Sequence, residues 1–166
     1  MSRRFAERGF TLIEMLITLA LVGVLALTSL PLMEITARRQ KESELRESLR
    51  IVRAGLDAYK AAVDAGSLAK AAGQSGYPPS LDVLTESLLR ADAPDRDGSG
   101  AASRIVILRR LPRDPFFADP AVPAAQTWKV RSYASRPDDP QPGDDVFDVA
   151  SGSTAIGLDG TPYATW

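Results

Sequence analysis

The chain contains neither cysteine nor histidine, and these two absences close off most familiar site chemistry. Without cysteine there is no disulfide framework and no thiolate metal site. Without histidine the commonest general base is gone, together with Ser-His and Cys-His nucleophile pairs and the ordinary zinc ligands. An enzyme would have to run on carboxylates, lysines or hydroxyls, and the sequence clusters none of these into a catalytic pattern, so a non-catalytic role is expected. Charge of one sign is also missing. The net charge is −1 and the pI about 5.5, so no overall basicity recommends a nucleic-acid partner. A length of 166 residues suits one domain with an N-terminal appendage.

What is present is concentrated at the N-terminus. Residues 1–9 read MSRRFAERG, with Arg3, Arg4 and Arg8 against Glu7. The run FTLIEMLITLALVGVLALTSLPLM follows, and over 15–33 it carries no charged residue. A helix that spans a bilayer needs about 20 predominantly apolar residues. Basic flanks stay on the cytoplasmic side, so such a helix would leave its N-terminus inside and export the rest of the chain. A cleaved secretory signal fits poorly, because its apolar core is about 7–15 residues long and ends in a small-x-small cleavage site. A signal anchor explains the length and the arginines but not Glu14. A carboxylate at a bilayer centre costs roughly 2.5–3.5 kcal/mol, and less near the interface. In the first turns of a helix an acid also complements the dipole, worth about 0.3–1 kcal/mol. Taken alone, Glu14 is open to either account.

In context the string Arg8-Gly9-Phe10-Thr11-Leu12-Ile13-Glu14 resembles the prepilin processing motif of type IV pilins and type II secretion pseudopilins. That resemblance implies a leader over 1–9, a membrane and filament-core helix over 10–33, and a periplasmic head over 34–166. It implies that prepilin peptidase cuts between Gly9 and Phe10 and methylates the new amine of Phe10. A residue without Cβ at the cut suits a narrow protease cleft. Glu14 is then expected to neutralise the Phe10 amine of a neighbouring subunit, a pairing that strengthens in low dielectric. Pro31 matches the family as well; it cannot donate to the carbonyl of Leu27, so a kink or opened turn is expected there. Gly23 permits close approach of another helix.

Beyond Met33 the character of the helix changes. Leu45, Leu49, Val52, Leu56, Tyr59 and Val63 alternate at spacings of four and three, an apolar stripe on one face. Arg38, Arg39, Lys41, Glu42, Arg46 and Glu47 occupy the other faces, with Glu42–Arg46 a favourable i,i+4 pair. Gly66 and Gly73 end the pattern. The connector GQSGYPPS precedes a short helix expected over 81–89 and capped by Ser80. Strands are expected over 105–108, 128–134 and 146–149, with the proline-punctuated turn LPRDPFFADP between the first two. The segment 92–100, DAPDRDGSG, places Ala93 at the first ligand position of an EF-hand register and so reads as a solvated loop. The fold class is α+β: one long N-terminal helix packed on a small antiparallel sheet.

The head, with Tyr77-Pro78-Pro79, Leu111-Pro112-Arg113-Asp114-Pro115-Phe116 and the closing Trp166, resembles the major pseudopilin of type II secretion. The resemblance implies a type IV pilin fold, a self-assembled helical filament, and contacts with minor pseudopilins, prepilin peptidase, the inner-membrane assembly platform with its ATPase, and inner-membrane lipid. The chain departs from the family in having Phe116-Phe117 where Trp-Gly is usual. It departs again in the C-terminal region SGSTAIGLDGTPYATW, where the family loop binds calcium. Here Asp159 is the lone carboxylate of that stretch, and Ser151, Ser153, Asp159 and backbone carbonyls are the donors a calcium ion would find, with Asp148 nearby. Calcium prefers six to eight oxygens with several carboxylates, so a loop closed by its own hydrogen bonds is the competing expectation. A type IV pilus pilin is the alternative within the family. A DNA-uptake pilin would draw on Arg104, Arg109, Arg110 and Arg113, against a solvated strand and turn.

Overall fold

The computed structural model describes residues 10–91 and 103–166, and within its long helix the side chains other than those of 27–32. Gly9, the rest of the leader and the 92–100 loop therefore lie outside the described residues. Helix α1 covers Leu12–Asp64, and the chain divides into two compact units, Met1–Gln40 and Lys41–Trp166.

In the first unit the N-terminal part of α1 is apolar on every face. Phe10, Leu12, Ile13, Leu16, Leu19, Val22 and Leu25 are all exposed, a pattern that in a folded chain belongs to an element covered by something else. The helix continues through Pro31 without a break. Among the described residues no helix is long and apolar enough to cross a membrane; the described apolar side chains run over 12–26, shorter than a full span.

In the second unit the remainder of α1 buries the stripe its periodicity predicts. Leu45, Leu49, Val52, Leu56 and Val63 are buried, and Tyr59 packs beside them half-buried. Leu45, Leu49, Val52 and Leu56 meet Leu81, Leu84, Leu111, Trp128, Val146, Val149 and Tyr163 in one core. The helix stops on a left-handed glycine, Gly66, at φ 73°. Gly66 N–H donates to the Val63 carbonyl and Ser67 N–H to that of Ala62. This paired 6→1 and 5→2 pattern satisfies carbonyls the helix end leaves open, and it needs a residue without Cβ at the turn.

The sheet is smaller than expected and divided in two. Strand β1 (Leu88–Leu89) pairs antiparallel with β2 (Arg104–Ile105), and β3 (Trp128–Arg131) pairs antiparallel with β4 (Asp148–Ser151), Trp128 opposite Ser151 and Arg131 opposite Asp148. The helix expected over 81–89 is a 3₁₀ turn, Asp82–Thr85, with no side-chain cap, so Ser80 does not play that part. Leu81 and Leu84 are both buried; three residues per turn put positions i and i+3 on one face, and β1 then draws Leu88 and Leu89 away. The 105–108 strand ends early because Leu108 N–H turns to the Leu84 carbonyl. The 128–134 strand ends at Arg131 because Ser132 N–H turns to the Gln141 carbonyl, and Val146 leaves the sheet to donate to the Pro78 carbonyl.

The turn after β2 is a joint in the core. Asp114 is 2% exposed and Ser151 fully buried. The Asp114 carboxylate accepts from Ser151 Oγ at 2.6 Å, Gly152 N–H at 3.3 Å and Phe116 N–H at 2.8 Å. Its own N–H donates to Thr127 Oγ1 at 3.1 Å. Among the described residues no buried side-chain nitrogen or oxygen lacks a partner, as a well-formed polar network in a core requires.

Candidate functional site

The N-terminal site begins with a helix cap. Thr11 immediately precedes α1, and its Oγ1 accepts the Glu14 N–H at 3.3 Å while its carbonyl accepts the Met15 N–H at 3.2 Å. Thr-x-x-Glu is the sequence form of a capping box, so Thr11 is a residue whose role was legible in the sequence and which charge-based reading passes over. The cap fixes where the helix starts, and with it the turn that carries Glu14. Further along, Thr18 Oγ1 donates to the Met15 carbonyl at 3.0 Å. This internal bond satisfies a hydroxyl that would otherwise be costly in an apolar setting.

The Glu14 carboxylate itself makes no hydrogen bond or ion pair with any described residue. It stands exposed one turn from Phe10, which is 72% exposed, amid the exposed leucines and isoleucines of the same helix. Gly23, deeper in the run, has nothing within 4 Å of the position a Cβ would occupy, leaving its face open to another helix. Among the described residues, a carboxylate without a partner, an exposed aromatic at the expected first mature position and an exposed apolar helix are thus gathered on one segment. Gly9 falls outside the described residues, as does the Pro31 side chain.

The C-terminal donors are arranged differently from a metal shell. Ser151 Oγ is committed to Asp114 and accepts Ser153 N–H at 3.1 Å, while Ser153 Oγ accepts Ala155 N–H at 3.3 Å. Asp159 Oδ1 accepts Thr161 N–H at 2.9 Å and Thr161 Oγ1–H at 2.7 Å, and Oδ2 faces the Arg46 guanidinium at 3.3 Å. The Thr161 bonds, followed by Arg46, hold the Asp159 carboxyl below the usual carboxylate range. Asp148 is taken by Arg53 at 2.8 Å and Arg131 at 3.6 Å. Among the described residues no three acidic side chains gather to hold a metal ion. The set does not fit calcium: its oxygens have protein donors, and two of its carboxylates face guanidinium groups.

The arginine stripe also divides. Arg104, Arg109 and Arg110 are exposed. Arg113 is half-buried and donates to the carbonyls of Asp119, at 2.8 Å, and Val122, so it closes its own loop and presents no free head to a phosphate.

Comparison with known proteins bears on the N-terminus. Residues 4–30 match the family model described as the prokaryotic N-terminal methylation motif. No match is found among curated proteins or solved structures. The matched stretch contains the Gly9–Phe10 junction, the Thr11 cap and Glu14, so what this chain carries at its N-terminus is the methylation motif, the prepilin signal of type IV pilin-like proteins.

Proposed function

We propose that the chain is a structural subunit of a type II secretion pseudopilus, non-catalytic, anchored in a bacterial inner membrane by residues 10–33 with its head in the periplasm. The observation that carries the reading is the Glu14 carboxylate, without a partner among the described residues, on an apolar helix four positions from Phe10 and within a methylation motif. After a cut between Gly9 and Phe10, the new amine of one subunit would meet Glu14 of the next in a bundle of stems. The opposite charges attract strongly where water is scarce. Subunits wait in the membrane until an assembly ATPase and its platform drive them into a helical filament, which moves secreted proteins toward an outer-membrane channel. Minor pseudopilins complete that filament. Packing and docking are the subunit's whole contribution.

The choice of pseudopilus over pilus rests on the head. The turn Leu111-Pro112-Arg113-Asp114-Pro115-Phe116 is built into the core through Asp114, and the head closes its C-terminal region without cysteine. Deleting the gene separates the two readings. The expected result is that extracellular enzymes accumulate in the periplasm while surface pili and motility persist. Normal secretion with lost pili would make the chain a type IV pilus subunit.

A further inference from the structure

We propose that the C-terminal loop 156–166 is locked without any metal ion, by Glu42 and Arg46 acting from one face of α1. These two residues, one helical turn apart, are neighbours on the helix surface. Glu42 stands three residues before Leu45 and seven before Leu49, in step with the buried stripe and not on the outer face expected for its charge, and it is 4% exposed. Its Oε1 accepts the Leu158 N–H at 2.8 Å and the Tyr163 hydroxyl at 2.8 Å. Tyr163 is fully buried, so one carboxylate oxygen ties the loop's tip and its return segment to the helix together. Arg46 holds the other side: its guanidinium reaches Asp159 and lies 3.9 Å from the Trp166 ring centroid.

The loop between these anchors is internally cross-braced. Ile156 bridges Pro162, Gly157 N–H donates to the Thr161 carbonyl at 2.7 Å, and Trp166 Nε1–H donates to Thr161 Oγ1 at 2.6 Å. Gly157 cannot be replaced without a clash, since a Cβ there would lie 2.7 Å from Trp166 Cζ2 and 2.8 Å from Asp159 Oδ1. A calcium ion would have to take Asp159 from Thr161 and Arg46, and Ser151 from Asp114. A fixed cation, Arg46, already stands where an added one would be drawn, and a fixed anion, Glu42, supplies the acceptor for the tip. The lock belongs to the head alone and holds whether or not the head is part of a filament.

Two measurements on the full chain in detergent micelles test this. Thermal melting in millimolar calcium and in excess chelator should give the same Tm, because an ion that bound only the folded state would raise it. Limited chymotrypsin digestion should leave the loop resistant in both. Glu42→Ala should lower Tm by about 5 °C or more and open the chain to cleavage after Leu158. Glu42→Gln, which keeps Oε1 as an acceptor for both donors, should recover most of the protection. A Tm that rises with calcium overturns the proposal, and so does a loop as resistant in Glu42→Ala as in the unaltered chain. Loss of protection in Glu42→Gln equal to that in Glu42→Ala overturns its hydrogen-bonded basis. If Glu42→Ala fails to fold, the calcium comparison on the unaltered chain still decides the case.

Discussion

Glu14→Gln should yield a subunit that is cleaved and held in the membrane but absent from filaments. The carboxylate has no partner among the described residues, so the substitution breaks nothing seen in the single chain. The backbone cap from Thr11 to the Glu14 N–H survives, because it uses main-chain and Thr11 atoms alone. Loss of the dipole interaction costs only about 0.3–1 kcal/mol. Within a bundle of stems the balance differs. The Phe10 amine of a neighbour would keep its charge and lose its counter-ion in apolar surroundings. Breaking a buried pair from one side costs about 3–5 kcal/mol, which suppresses assembly roughly a hundredfold or more. Membrane association should hold, since the variant helix is more apolar, and so should leader removal, since the cut site is untouched. Sheared filament yield compared with subunit level in membranes is the readout. Unchanged filament yield would return Glu14 to a role in its own helix dipole.

Asp114→Ala should be among the most destabilising single changes in the head. Three donors converge on this carboxylate, two of them backbone N–H groups, in a site where Asp114 and Ser151 are almost completely sealed from water. Alanine removes the acceptor and leaves the buried Ser151 hydroxyl and the part-buried Phe116 N–H without one. Each orphaned group costs about 1–3 kcal/mol, so the two together cost about 2–6 kcal/mol. That is a large share of the about 5–15 kcal/mol that holds a typical domain together. The change should appear as a drop in the denaturation midpoint with loss of soluble head. Ser151→Ala removes one donor with its hydroxyl and should cost distinctly less. Equal stability of Asp114→Ala and the unaltered chain would show that the 111–117 turn is held from elsewhere.

The parts of this account that were legible in the sequence are those written in local patterns. The stripe from Leu45 to Val63 is visible because burying one face of a helix forces a 3.6-residue period. The Gly9–Phe10–Glu14 spacing is visible because the methylation motif is written in one short continuous string. Glu42 escaped that logic. It stands three residues before Leu45, in step with the stripe, but a carboxylate there reads as solvated, and its partners Leu158 and Tyr163 lie 116 and 121 positions away, beyond any local pattern. Asp114 and Ser151, 37 positions apart, are a similar case. Strand limits are illegible for another reason: β1 and β2 have two residues each, too few for alternation to register. Where β3 and β4 begin and end is set by Ser132, Val146 and their long-range carbonyl partners, not by β-propensity.

The most direct test of the central claim is the intact mass of the chain recovered from prepilin peptidase-positive membranes, with tandem fragmentation of its N-terminal peptide. The account predicts a species lacking residues 1–9 that begins at Phe10 and carries a single methyl group on the Phe10 amine, and it predicts retention of the leader in Gly9→Val. Full-length chain with Met1–Gly9 attached as the dominant species in those membranes would contradict it.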